Sequence, residues 1–255
     1  MDIVLPATVA FVLAGFIKGV LGFGFPIIAL ILLTLYTGLL DALAIIVVPT
    51  LVTNIWQALS GSHLRAIFGR MWLYFACAMA GIFASSWFIT DVDVNLLTGL
   101  LGAVLFFFAV SRLMNVHITI PARHEGPLSV ALGSINGVLT GFTGSFMVPS
   151  VLYMQALGFG KDMLVQAMGV FFGLSTALLM VSLGKNELIT IDEAIASSVM
   201  LVPSFAGIYA GRVMRDRIDE QTFQKVFLVG VLVLGAYIVY RAAFPPVYEP
   251  ASPPA

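Results

Sequence analysis

Lys18 is the charge that most constrains this sequence. It stands in the apolar stretch Phe16-Ile-Lys-Gly-Val20, just ahead of the glycine-rich run Gly22-Phe-Gly-Phe-Pro26. An ion held in hydrocarbon costs about 2.5–3.5 kcal/mol on insertion scales, so a compensating group is required. A bound anion would supply it, as would reversible protonation of the lysine itself. A shallow position would instead let the ammonium snorkel to an interface. A second glycine-rich run, Thr140-Gly-Phe-Thr-Gly-Ser145, sits in another long apolar segment, where Asn136 takes the place of Lys18. A helix broken at membrane depth leaves N–H groups that lipid cannot satisfy, so the break must face protein or a water-filled cavity. The returning half-helices, opening at Phe25-Pro26 and Ser145-Phe146, would aim their positive dipole ends at an anionic ligand.

The candidate binding set follows from these breaks. Gly22, Phe23 and Gly24 form the first, with Thr140, Gly141, Thr143, Gly144 and Ser145 in the second. Glycine lets a ligand approach main chain closely, although it equally lets membrane helices touch. Thr50, Thr53, Asn54 and Gln57 share one helix face, and Ser175-Thr176 occupies the matching place in the second half. Hydroxyls routinely bond back to their own helix. Asn54, Gln57 and Asn136 are stronger candidates, because a side-chain amide needs partners for both donor and acceptor. Lys18 facing Asn136 makes the expected pocket asymmetric.

Other chemistry is thinly represented. No catalytic residue is expected, because Ser145 has no histidine or paired aspartate in a neighbouring span to act as its base. No metal site or cofactor is expected either: His63, His117 and His124 are isolated and read as surface residues. Cys77, the one cysteine, lies in the apolar run Tyr74-Phe-Ala-Cys-Ala78 and reads as packing. Phe106–Phe108 and Phe171-Phe172 read as lipid-facing or packing aromatics.

The elements that must position these residues are set by composition. A chain of 255 residues that is 60% hydrophobic and 10% charged cannot bury its apolar side chains in one soluble core, so its solvent is lipid. The net charge of −1 comes with no basic stripe, and no nucleic acid partner is expected. The fold class is all-α and polytopic, with apolar segments at 4–36, 42–60, 68–90, 94–114, 128–157, 163–183, 191–211 and 222–243. The first and fifth are too long for one straight crossing and should be broken hairpins. A cleavable signal peptide is disfavoured, since the first segment has no basic leader and runs past any plausible cleavage point. The proline-rich stretch 245–255 reads as an unstructured tail.

The segments repeat. Ile17-Lys-Gly-Val-Leu-Gly-Phe-Gly corresponds to Ile135-Asn-Gly-Val-Leu-Thr-Gly-Phe-Thr-Gly, and Gly81-Ile-Phe-Ala with Asp93 matches Gly207-Ile-Tyr-Ala with Asp219. This divides the chain into repeats at 1–125 and 126–244, with each aspartate opening the last helix of its half. Basic residues follow the second, fourth and seventh segments: Arg65 and Arg70, Arg112 and Arg123, and Arg212, Arg215, Arg217 and Lys225. If the first and fifth segments are hairpins, all these loops fall on one side, which the positive-inside rule makes cytoplasmic. Each half then has a hairpin and three crossings, so the second half is inverted relative to the first. Eight ordinary spans with one misplaced basic loop is the competing arrangement.

With its breaks at Gly15-Phe-Ile-Lys-Gly-Val-Leu-Gly-Phe-Gly-Phe-Pro26 and Gly133-Ser-Ile-Asn-Gly-Val-Leu-Thr-Gly-Phe-Thr-Gly-Ser145, the chain resembles the TauE/SafE, or TSUP, family of sulfite and organosulfur anion exporters along nearly its whole length. It departs from the usual glycine triplet by placing Phe23 and Phe25 around Gly24, and Thr143 and Ser145 around Gly144. The resemblance implies export of a small sulfur oxyanion or organosulfonate across a bacterial cytoplasmic (inner) membrane, with protons as a candidate driving ion. The expected partners are therefore a small anion and the lipid bilayer, with the protein a monomer or homodimer. A passive anion channel or a structural membrane protein is the alternative, because a pore can also be lined by polar helix breaks.

Overall fold

The computed structural model describes residues 4–88, 91–114, 119–185, 189–215, 217 and 219–244. All its regular elements are helices. The first half comprises α1 (Val4–Leu21), α2 (Phe25–Thr37), α3 (Leu39–Leu59), α4 (Leu64–Ser86) and α5 (Val94–Leu113). The second comprises α6 (Ala122–Thr143), α7 (Ser150–Ala156), α8 (Lys161–Lys185), α9 (Ile191–Ser198), α10 (Leu201–Arg215) and α11 (Glu220–Ala243). Helices α3, α4, α5, α8 and α11 are long and apolar enough to cross a membrane. The chain is a polytopic all-α membrane protein. Residues 245–255 and His117 lie outside the described residues.

Both long segments break at their glycine runs. Gly22 and Gly24 take φ of 82° and 97°, and Gly144 takes 66°, a region where a Cβ is strained. The chain turns back at each break. Phe25 packs on Phe11 of α1, with ring centroids 5.9 Å apart, a contact open only to a reversed chain. In the second half the Phe146 carbonyl comes within 3.4 Å of Asn136 Nδ2, two turns back along α6.

Three boundaries differ from the sequence expectation. The second returning limb does not open as a helix at Ser145-Phe146: residues 144–149 are irregular and α7 starts at Ser150. Pro149 accounts for this, since it disfavours the α region for Val148 and has no N–H to donate. Segment 191–211 divides into α9 and α10, because Pro203 cannot donate to the Val199 carbonyl, which accepts from Val202 N at 3.3 Å instead. Helix α6 starts at Ala122 rather than 128, so Arg123, His124 and Glu125 belong to its first turn.

The two expected helix starts are present. Asp93 caps α5 by accepting from Asn95 N at 2.7 Å and Leu96 N at 3.3 Å, and Asp219 caps α11 by accepting from Thr222 N at 3.1 Å.

The dominant helix partnerships are α1 with α10, α4 with α6, α3 with α8, and α5 with α11. Exchanging the halves, with α9 and α10 in the place of α4, maps this set onto itself. The first two pairs run parallel on glycine. Gly15 faces Ser204 and Gly207 while Gly19 faces Ile208 and Gly211, and Gly133 faces Tyr74 while Gly137 faces Ala78 and Gly81. A Cβ on Gly211 would lie 2.2 Å from the Phe16 carbonyl oxygen, so these backbones touch directly. The other two pairs run antiparallel: Gly173 lies by Asn54 and Gly169 by Gln57, and Gly102 lies by Val239 while Gly235 lies by Phe106.

Candidate functional site

Lys18 is in the last turn of α1 and 5% exposed. Its Nζ donates to Thr53 Oγ1 at 3.2 Å and to Asn54 Oδ1 at 2.5 Å, both on α3, and lies 5.9 Å from the centre of the Phe25 ring. An ammonium has three donors and no acceptor, so these two oxygens leave one N–H in hand. The same requirement fixes the amide of Asn54. Its oxygen must face the lysine, and its fully buried Nδ2 has no hydrogen-bond partner among the described residues. Lys18 and Asn54 therefore concentrate unused donors at one buried point, with no carboxylate paired to the lysine; the described ion pair is Arg70–Glu125.

Gln57, one turn further along α3, ties the first break in place by donating to the Gly22 carbonyl at 3.0 Å and to the Val165 carbonyl of α8 at 2.7 Å. Phe23 packs edge-on against Phe227 at 6.3 Å. A Cβ on Gly24 would approach Ile17 at 3.1 Å, so this glycine serves both the turn and the packing.

The second break is knit mostly to itself. Thr140 Oγ1 donates to Asn136 Oδ1 at 3.2 Å and lies 3.0 Å from the Ser145 carbonyl. Thr143 accepts from Ser145 N at 3.2 Å. Among the described residues, Ser145 Oγ is buried with no partner, as are Thr50 Oγ1 and Ser175 Oγ. Gly141 is a packing glycine, set directly against Ser85 of α4. Gly144 lies against Leu43.

The two tips therefore sit at opposite ends of α3, one tied to Gln57 near its end and the other packed on Leu43 near its start. Their returning limbs overlap in between. Pro26 and Ile27 of α2 line the same narrow crevice as Gly144, Ser145 and Phe146. Thus Lys18, Asn54, Gln57, Gly22 and Gly24 form one cluster, Asn136, Thr140, Thr143 and Ser145 a second, and the limb contact joins them.

The aromatic and cysteine readings sort residue by residue. Phe171, Phe172 and Phe108 are fully packed, whereas Phe107 is 67% exposed. Cys77 lies against Gly133, in keeping with packing. Sequence reasoning missed Gln166, a buried amide that accepts from His63 N at 2.8 Å and donates to the Ala58 carbonyl at 2.8 Å. It also passed over Gln155, which accepts from Arg112, and the bond from Arg241 to the Leu35 carbonyl at 3.3 Å. The signal for the last two was a single arginine in the last turn of an apolar helix.

A family model described as sulfite exporter TauE/SafE matches residues 7–238. No curated protein and no solved structure matches the chain.

Proposed function

Because the chain belongs to the sulfite exporter TauE/SafE family, we propose that it is a secondary transporter exporting a small sulfur-bearing anion, sulfite or a sulfonate, by alternating access. The observation that carries this reading is the buried lysine held, among the described residues, by two neutral oxygens beside an amide N–H2 without a partner there. An oxyanion fits that arrangement, since it accepts from several donors at once and offsets the buried charge. A proton exchanged at Lys18 would couple the cycle to a proton gradient.

Alternating access fits two halves related by inversion. In same-direction repeats the equivalent helices α3 and α8 would run parallel; they run antiparallel, as do α5 and α11, which supports the inverted reading. On this reading the protein sits in a bacterial inner membrane with Arg65, Lys161, Arg212 and Arg215 on the cytoplasmic side. Lys18, Asn54 and Ser145 are all buried, so reaching them requires one group of helices to move against another.

Uptake of labelled sulfite, sulfonates and carboxylates into proteoliposomes tests the proposal. Saturable flux that favours sulfur oxyanions is expected. Absence of saturable anion flux under every gradient removes the transporter, and flux strictly linear in concentration makes it a channel.

A further inference from the structure

Three spaces are strung along one face of α5. Thr98, near its start, lines an open cavity of about 230 Å³ shared with Arg241 of α11. Leu101 and Leu105 line the crevice where the two returning limbs overlap. Arg112, in its last turn, lines an open cavity of about 640 Å³ shared with Gln224 and Lys225. These positions are separated by three, four and seven residues, which keeps them on a single helical stripe. Because α5 and α11 are antiparallel, the two outer cavities lie at opposite ends of the pair, and each holds an arginine from the last turn of one of these helices.

Both cavities are suited to anions. Neither has a carboxylate among its described lining residues. Asp219 caps its own helix start and lies within electrostatic range of Lys225, without lining the cavity. Arg112 lines its cavity, and its Nε, buried beneath that surface, has no hydrogen-bond partner among the described residues.

The arginines also share a bonding pattern. Arg112 of the first half donates to Gln155, near the end of α7 in the second half. Arg241 of the second half donates to the Leu35 carbonyl, near the end of α2 in the first. Each holds the far end of the limb that returns from the other half's break.

We propose that the transported anion enters and leaves at the two ends of this face of α5, received at one by Arg241 and at the other by Arg112. This rests on the transport reading above. An anion that takes the guanidinium competes with its bond to the returning limb, so arrival at a mouth loosens the limb behind it. Fully packed Leu101, Leu105 and Phe108 close the stripe between the mouths.

The test is labelled sulfite flux in proteoliposomes of fixed orientation, with the anion supplied to one face at a time. Arg112→Gln is expected to raise the half-saturating concentration about tenfold from the Arg112 end and to leave the opposite face unchanged, as for loss of one charged hydrogen bond. Arg241→Gln is expected to do the reverse. Arg112→Lys, which keeps the charge, should recover most of the affinity. If both glutamine variants act on the same face, or neither changes either face while the wild type transports, the path is wrong. A monodisperse Arg112→Lys variant without recovery also overturns it. Loss of saturable flux in the wild type would instead remove the transport reading itself.

Discussion

Lys18 Nζ lies 2.5 Å from Asn54 Oδ1, and that contact leaves the buried Asn54 amide nitrogen without a hydrogen-bond partner among the described residues. An ammonium buried among neutral partners is a liability for the fold, because its desolvation is offset by hydrogen bonds alone. Lys18→Met should therefore raise the thermal midpoint in detergent while abolishing saturable flux. A fall in the midpoint would assign the lysine to structure instead.

Asn54→Leu removes the unpartnered amide and one of the two oxygens that hold Lys18. Sulfite affinity should fall about 10- to 100-fold, the range for losing hydrogen bonds to a charged group. Equilibrium binding of sulfite reads this directly, and unchanged affinity would place the anion elsewhere.

The glycine contacts separate tight positions from open ones. A side chain at Gly211 would enter the Phe16 carbonyl and one at Gly137 the Ala78 carbonyl, whereas Gly69 has nothing within 4 Å. Gly211→Leu and Gly137→Leu should each lower stability by about 1–3 kcal/mol or prevent assembly, while Gly69→Ala should leave the thermal midpoint near wild type. Equal effects at all three positions would contradict the close packing of these pairs.

Inversion is open to a labelling test in a Cys77→Ser background. Helices α1 and α10 run parallel, which puts Leu5 and Arg215 at opposite ends of the pair. Cysteines at these positions should react with impermeant thiol reagents from opposite faces, and reaction from one face would sink the hairpin arrangement.

Asp219 gives a pH-dependent prediction. The Thr222 hydroxyl and amide hold its carboxyl below the ordinary carboxylate value. A depressed carboxyl contributes stability above its unfolded pKa of about 4 and loses it as pH falls through the folded value. Asp219→Ala should lower the melting temperature at neutral pH, and the gap from wild type should close below about pH 4. A gap that persists in acid would show that the cap does not act through the ionised carboxylate.

Local rules made much of this fold legible. The breaks followed from Gly22, Gly24 and Gly144, and the starts of α5 and α11 from Asp93 and Asp219, because each is a backbone requirement met within a few residues. Lys18 and Asn54 could be flagged singly from their polarity in apolar runs. Their contact, spanning 36 positions, could not be read from periodicity. The bond from Arg241 to Leu35 spans 206 and was still less visible. Pro149 and Pro203 were visible as residues, but a hydropathy profile runs straight through them. The shape of the second limb and the division of segment seven therefore emerged only from backbone geometry.

The glycine-lined pairs have a consequence for how the chain is assembled. Helix α1 packs most extensively on α10 and α6 on α4, so the glycine face of each hairpin is covered by the other half. A half made alone would leave Gly15 and Gly19, or Gly133 and Gly137, as a bare seam. Each half is in this sense the other's missing neighbour, and expressing the halves as separate chains should restore a stable molecule only when both are present.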